Sequence, residues 1–146
     1  MAFGTARPRR VITALDTNVI VSLWSRKANE PARTVLEKSR AQGPLVICPP
    51  VYTELLASGR TRKWIDDFLN DVGIEIDWNV EEVSWVEAGL VFADYAVRRK
   101  RGGGDQPRRI LVDFFIGAHA LYQADRLVTA DNWYSTIFPR LRLEPV

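Results

Sequence analysis

Asp16, Glu54, Asp113 and Asp131 are the residues of this 146-residue chain whose types and placement could do chemistry together. Asp16 lies in VITALDTNV and Asp131 in RLVTADNWY, each following a short apolar run that reads as a buried strand, Val11–Leu15 and Arg126–Thr129. Glu54, in PPVYTELLA, and Asp113, in ILVDFFIGAHA, sit near the starts of apolar helical patterns. Carboxylates are rarely buried unless paired, so four converging on one pocket would need a cation. Oxygen donors suit a hard divalent ion, Mg²⁺ or Mn²⁺, and through it phosphate chemistry. Four acids exceed the minimum for one ion and could serve two, roughly 3.5–4 Å apart. Thr17 and Asn18 beside Asp16, and Thr129 two residues before Asp131, offer short polar groups that could fix carboxylate rotamers or hold a water ligand. Each acid alone has a plainer use. Asp16 could cap a helix, Glu54 and Asp113 suit a helix dipole, and Asp131 suits a turn. All four readings must hold at once for the cluster to be accidental.

The acids can meet only if the elements carrying them are ordered suitably. Val11–Leu15 reads as a first strand, with Asn18 as N-cap of the helix after it. Pro31 opens a second helix that Gly43 ends, and Leu45–Cys48 is a second strand. Pro49-Pro50 starts a third helix carrying Glu54. A fourth spans roughly Arg62–Asp71, with Trp64 on its apolar stripe, and Ile74–Trp78 is a weaker strand. Val83, Val86, Leu90, Ala93 and Val97 recur at steps of three and four, which marks a long helix over about 81–99. Gly102-Gly103-Gly104 breaks it, and Pro107 closes a short loop. Ile110–Ala124 is a sixth helix, on which Gly117, Ala120 and Ala124 share the face of Asp113 and would permit close approach of another backbone. Leu127–Thr129 is a further strand, a short helix lies around Asn132–Phe138, and Leu141–Leu143 is an edge strand. Alternating strands and helices predict an α/β fold with a parallel sheet of four to five strands covered on both faces. Such sheets bind ligands outside the carboxyl ends of their strands, where Asp16 and Asp131 fall.

Length and a 47% hydrophobic content fit one domain over residues 1–146, with residues 1–10 as a flexible basic N-terminus. Cys48 is the only cysteine, so no internal disulfide forms, which suits a reducing cytoplasm. No run of about 18 apolar residues could span a membrane, and the apolar stretch after the basic start is too short for a signal peptide. The net charge of +2 is too mild to indicate nucleic-acid binding by itself. Its distribution says more: Arg98, Arg99, Lys100, Arg101, Arg108 and Arg109 flank the glycine-rich loop. They read either as a solvated basic loop or as an arm that tracks the phosphates of RNA toward the acids. His119, the only histidine, is six residues from Asp113; about 600° of helical turn puts it on another face, as a packed side chain. No zinc signature, nucleophile elbow or P-loop is present. Trp64 and Trp85 fit core stripes, whereas Trp24 or Trp133 could stack bases or meet a partner.

The order LDTNV, an acid in a proline-led helix, VDFFIGAHAL, then LVTADNWY with a late IFPRLRL resembles the PIN domain, and most closely the VapC-type toxin nucleases of toxin–antitoxin pairs. The resemblance runs from about Val11 to Leu143. It implies a Rossmann-like sheet, RNA cleavage dependent on Mg²⁺ or Mn²⁺ that leaves 5′-phosphate and 3′-hydroxyl ends, homodimerisation, and an antitoxin that occludes the site. Position by position, the family's four acids fall on Asp16, Glu54, Asp113 and Asp131, its polar residue after the first strand on Asn18, and its Thr or Ser on Thr129. Some members carry a further acid shortly after the fourth, where this chain has Asn132 and Trp133, so a second ion has fewer ligands. The expectation is a cytoplasmic endoribonuclease with Asp16, Asp113 and Asp131 as metal ligands and Glu54 completing the shell. Two rivals stand beside it. One is a phosphohydrolase using Asp16 as nucleophile, which wants an acid where Asn18 stands; the other is a non-catalytic PIN-like module that binds RNA or protein.

Overall fold

A computed structural model describes residues 9–25, 30–103 and 109–146. Residues 1–8, and with them most of the basic N-terminus, lie outside the described residues, as do Gly104, Pro107 and Arg108. The chain runs β1 (Thr13–Leu15), α1 (Thr17–Ser22), α2 (Glu30–Gln42), β2 (Leu45–Ile47), α3 (Pro49–Leu56), α4 (Arg62–Val72), β3 (Ile74–Ile76), α5 (Glu82–Arg101), α6 (Leu111–Gln123), β4 (Arg126–Thr129), α7 (Trp133–Ile137) and β5 (Leu143–Pro145). All strand pairs are parallel, in the order β3-β2-β1-β4-β5. Every residue of β1, β2 and β4 is buried, as strands covered on both faces require. The expected α/β architecture is therefore present.

The register of this sheet places the chemistry. Leu15 pairs with Val128, so β1 and β4 end side by side and the residues leaving them, Asp16 and Asp131, emerge at one edge. The prolines at the first two positions of α3 have no amide hydrogen to waste there, and they start the helix that carries Glu54 directly after β2. Thr61 caps α4 by accepting the Trp64 N–H at 3.1 Å, and Gly73 ends that helix in the left-handed region at φ 83°.

Several local expectations need correction. Asp16, not Asn18, is the residue preceding α1; the helix begins at Thr17, one residue after the strand's polar end, and Asn18 is exposed on it. The stripe Val83, Val86, Leu90 and Val97 faces outward, with Leu90 64% and Val86 50% exposed. The buried line on α5 is Ser84, Ala88 and Tyr95, with Val91 and Phe92 partly buried beside it. Ser84 and Ala88 let α5 lie close along α6, while Phe92 and Tyr95 pack against Phe114 and Trp85 against Phe115. Trp64 and Trp85 are 37% and 43% exposed, not core. Trp64 stacks on Phe68 with Arg60 3.9 Å above its ring, and Trp85 packs edge-on against Phe115. The open face of Gly117 meets the Phe138 ring and not another backbone: a β-carbon there would lie 2.2 Å from Cε2. The edge strand is β5 at Leu143–Pro145, two residues later than the apolar run suggested, because Leu141 turns into the core.

Candidate active site

One hydroxyl ties the ends of the two central strands together. Thr129 Oγ1 donates to Asp16 Oδ2 at 2.9 Å and accepts the Asp131 N–H at 3.0 Å. Thr129 and Asp16 are both buried, Asp16 with 5% of its surface exposed. On the other side of Asp16, Thr17 Oγ1 donates to Glu54 Oε1 at 2.6 Å, which links α1 to α3. Asp113, in the first turn of α6, accepts the Ile110 N–H at 3.4 Å, as an acid at a helix start should. Asp131 Oδ1 accepts the Trp133 N–H at 3.0 Å and so starts α7.

The charges show that these acids share one region. Burial raises the Asp16 carboxyl above its ordinary value of 3.8; the charges of Asp113 and Asp131 push the same way, against the Thr129 hydroxyl and the Asn18 amide. Burial likewise raises Asp113, assisted by Glu54 and Asp131 and opposed by the Ile110 amide and Arg109. Asp131 moves oppositely. Burial would raise it, but the Arg109 hydrogen bonds and charge, with the Trp133 amide, hold it below 3.8. Tyr134 backs the site: its phenol is buried, and burial followed by the charges of Asp16, Asp113 and Asp131 drives its pKa far up. Among the described residues no three acidic, histidine or cysteine side chains stand close enough to hold an ion as arranged. The acids thus repel across a shared space without forming a closed shell, the arrangement that a hard dication with oxygen preferences would relieve.

A PIN domain family model matches residues 13–137. This chain belongs to the PIN-domain family. Solved structures share its fold: VapBC2 from Rickettsia felis bound to a promoter DNA fragment (TM-score 0.68, 20% identity, covering 92% of this chain and 98% of that one); VapBC-1 from nontypeable Haemophilus influenzae (0.64, 20%, 92% and 97%); and DNA-bound VapBC from Salmonella typhimurium (0.63, 19%, 92% and 98%). No curated protein matches the chain.

The basic residues of this PIN domain divide. Arg98 pairs with Asp94 one turn earlier on α5, while Lys100 and Arg101 are exposed at the end of that helix. Arg109 instead turns toward the acids: both terminal nitrogens reach the Asp131 carboxylate, and its guanidinium lies 4.5 Å from the Trp133 ring centre. Residue order alone does not reveal that pairing, nor the position of Tyr134. The only local signal for Tyr134 is its three-residue spacing from Asp131 at the start of α7. Trp133 is wedged among Phe114, Tyr95 and Tyr134. His119 is packed as expected, 2.9 Å from Asp77 Oδ2, and Gln123 donates to the same oxygen at 3.1 Å. Cys48 is buried and its thiol is pushed up to about 12 by that burial, so it offers no nucleophile.

Proposed function

We propose that this PIN domain is a Mg²⁺- or Mn²⁺-dependent endoribonuclease and the toxin of a toxin–antitoxin pair. The observation that carries the reading is the convergence of Asp16, Asp113 and Asp131 at one sheet edge, where burial first and neighbouring acids second disfavour the charges of Asp16 and Asp113. Membership of the PIN family and a fold shared with VapBC proteins support it. Asp16, Asp113 and Asp131 would hold the ion directly, with Glu54 at the rim. Bound there, the ion supplies a lowered water pKa and positive charge beside the scissile phosphate.

The chain's own groups do the rest. Thr129 fixes the Asp16 rotamer and couples it to the backbone of Asp131, so the two acids move together. Thr17 holds Glu54 by one oxygen, leaving the other to orient water and take its proton. Attack of that water on phosphorus breaks the P–O3′ bond; the departing O3′ takes a proton from solvent, leaving 5′-phosphate and 3′-hydroxyl ends. Arg99, Lys100, Arg101 and Arg108 are assigned to the substrate backbone. The cognate antitoxin, a homodimeric state and a cytoplasmic setting belong to the same proposal. None of the described helices is long and apolar enough to cross a membrane.

The test incubates the purified protein with single-stranded and structured RNA in Mg²⁺, Mn²⁺ or EDTA, beside an identically purified Asp16→Asn variant. Cleavage that needs metal and fails in the variant supports the reading. Equal cleavage by both identifies a contaminant. Silence in both, with no metal binding, turns the assignment to a non-catalytic binding module.

A further inference from the structure

Of the three acids Asp16, Asp113 and Asp131, Asp131 is the one that forms an ion pair among the described residues. Arg109 Nη1 donates to Oδ2 and Nη2 to Oδ1, the latter at 3.3 Å, while Oδ1 also takes the Trp133 amide. Both carboxylate oxygens are therefore engaged. The Arg109 backbone is pinned by its own N–H, which donates to the Tyr95 hydroxyl at 3.1 Å, and the guanidinium plane is supported by Trp133. The pairing is incomplete. Nε is buried with no hydrogen-bond partner among the described residues, so the side chain holds Asp131 while leaving one donor unsatisfied.

Beside it opens a hollow lined by Phe92, Tyr95, Arg99, Lys100 and Arg109. A phosphate group entering there would offer the guanidinium more acceptor oxygens than Asp131 does. The same side chain thus borders both the acids of the proposed cation site and this basic hollow.

From this geometry we propose that Arg109 is a built-in competitor for the divalent cation, holding Asp131 closed until ion or substrate phosphate draws the guanidinium away. The proposal rests on the metal-site reading given above. It makes the metal-free domain self-occluded: a cation must displace a two-armed, stacked contact before Asp131 can ligate it. Substrate and ion then favour each other's binding, because a phosphate that takes Arg109 frees Asp131.

The test is Mn²⁺ affinity, measured by calorimetry and by the electron spin resonance of free Mn²⁺, with no RNA present. Arg109→Ala should bind Mn²⁺ roughly five- to tenfold more tightly than the unaltered protein, the scale of one partly buried charge-assisted pair. In an Asp131→Asn background the same change should bring no gain. Arg109→Lys, which keeps the charge but loses the fork, should fall between and serves if the alanine variant does not fold. Unchanged or weaker Mn²⁺ binding by Arg109→Ala, in a protein whose unaltered form binds Mn²⁺, overturns the competitor and leaves the metal site standing. If no variant and not the unaltered protein binds Mn²⁺ at millimolar concentration, the metal-site reading falls and the competitor with it.

Discussion

Thr129→Val replaces one buried hydroxyl by a methyl of nearly the same size and removes two hydrogen bonds at once. The bond to Asp16 Oδ2 has an ionised acceptor, worth about 1.5–3 kcal/mol, and the bond from the Asp131 amide about 1 kcal/mol. The Asp16 carboxylate keeps its burial but loses its strongest opposing support, so the two losses together approach about 3 kcal/mol. For a chain of this size that is a fall in Tm of roughly 10 °C. The sign of the pH dependence follows. The folded Asp16 carboxyl already lies above 3.8, so the native state binds its proton more tightly than the unfolded chain and stability falls as pH rises through the raised value. Removing Thr129 raises it further, so the gap between variant and unaltered protein should widen as pH rises above the ordinary carboxylate value of 3.8. Thermal unfolding followed by circular dichroism, in EDTA, measures both effects, with Thr129→Ser as the control that keeps the hydroxyl. A drop under about 3 °C, or a gap that does not widen with pH, would refute the claim that this hydroxyl holds the first and fourth acids.

Three further outcomes are expected. Asp16→Asn should raise Tm in EDTA at neutral pH, because it removes a charge that burial and two neighbouring acids penalise; the gain should vanish as pH falls toward 3.8, and Mn²⁺ should stabilise only the unaltered protein. A variant that melts lower than the unaltered protein at neutral pH would contradict this. Gly117→Ala should lower the urea midpoint, since its β-carbon would lie 2.2 Å from Phe138 Cε2; overpacking costs about 1–3 kcal/mol, offset in part by about 1 kcal/mol of helix propensity. Combining it with Phe138→Leu should recover part of the loss, and no recovery would mean that another contact is responsible. The salt slope of binding to single-stranded RNA by a cleavage-dead variant should fall short of about −4, the value for six phosphate contacts, because Arg98 already faces the Asp94 carboxylate. A slope at or beyond that value would show Arg98 released to RNA.

The legible parts of the fold were those where a single period or a punctuating residue decides the outcome. Leu45–Ile47 and Leu127–Val128 are apolar on consecutive residues, as suits strands covered on both faces, and they lie in β2 and β4, the two neighbours of the central β1. Pro49-Pro50 and Gly73 bracket helices where their backbone chemistry requires. The outward stripe of α5 was not legible. Val83, Val86, Leu90 and Val97 and the competing line Ser84, Ala88, Val91, Phe92 and Tyr95 both satisfy helical spacing, and the first is the more apolar. What decides between them is the closeness of α6, a property of the partner's shape that periodicity does not contain.

The site divides along the same line. Asp16 and Asp131 were placed by strand ends, because a parallel sheet brings its carboxyl ends to one edge whatever the intervening chain does. Arg109 was assigned to the basic loop because its neighbours in sequence are basic, yet its neighbour in space is Asp131, 22 residues on. A count of positive charge along the chain cannot distinguish a cation offered to RNA from one that faces the acids. Only the adjacency of Arg109, at the start of α6, and the β4–α7 turn separates the two. That adjacency gives Arg109 a carboxylate partner besides the basic neighbours it has in sequence, and under the proposal above the occupancy of Asp131 becomes a competition between Arg109, a divalent ion and, indirectly, phosphate.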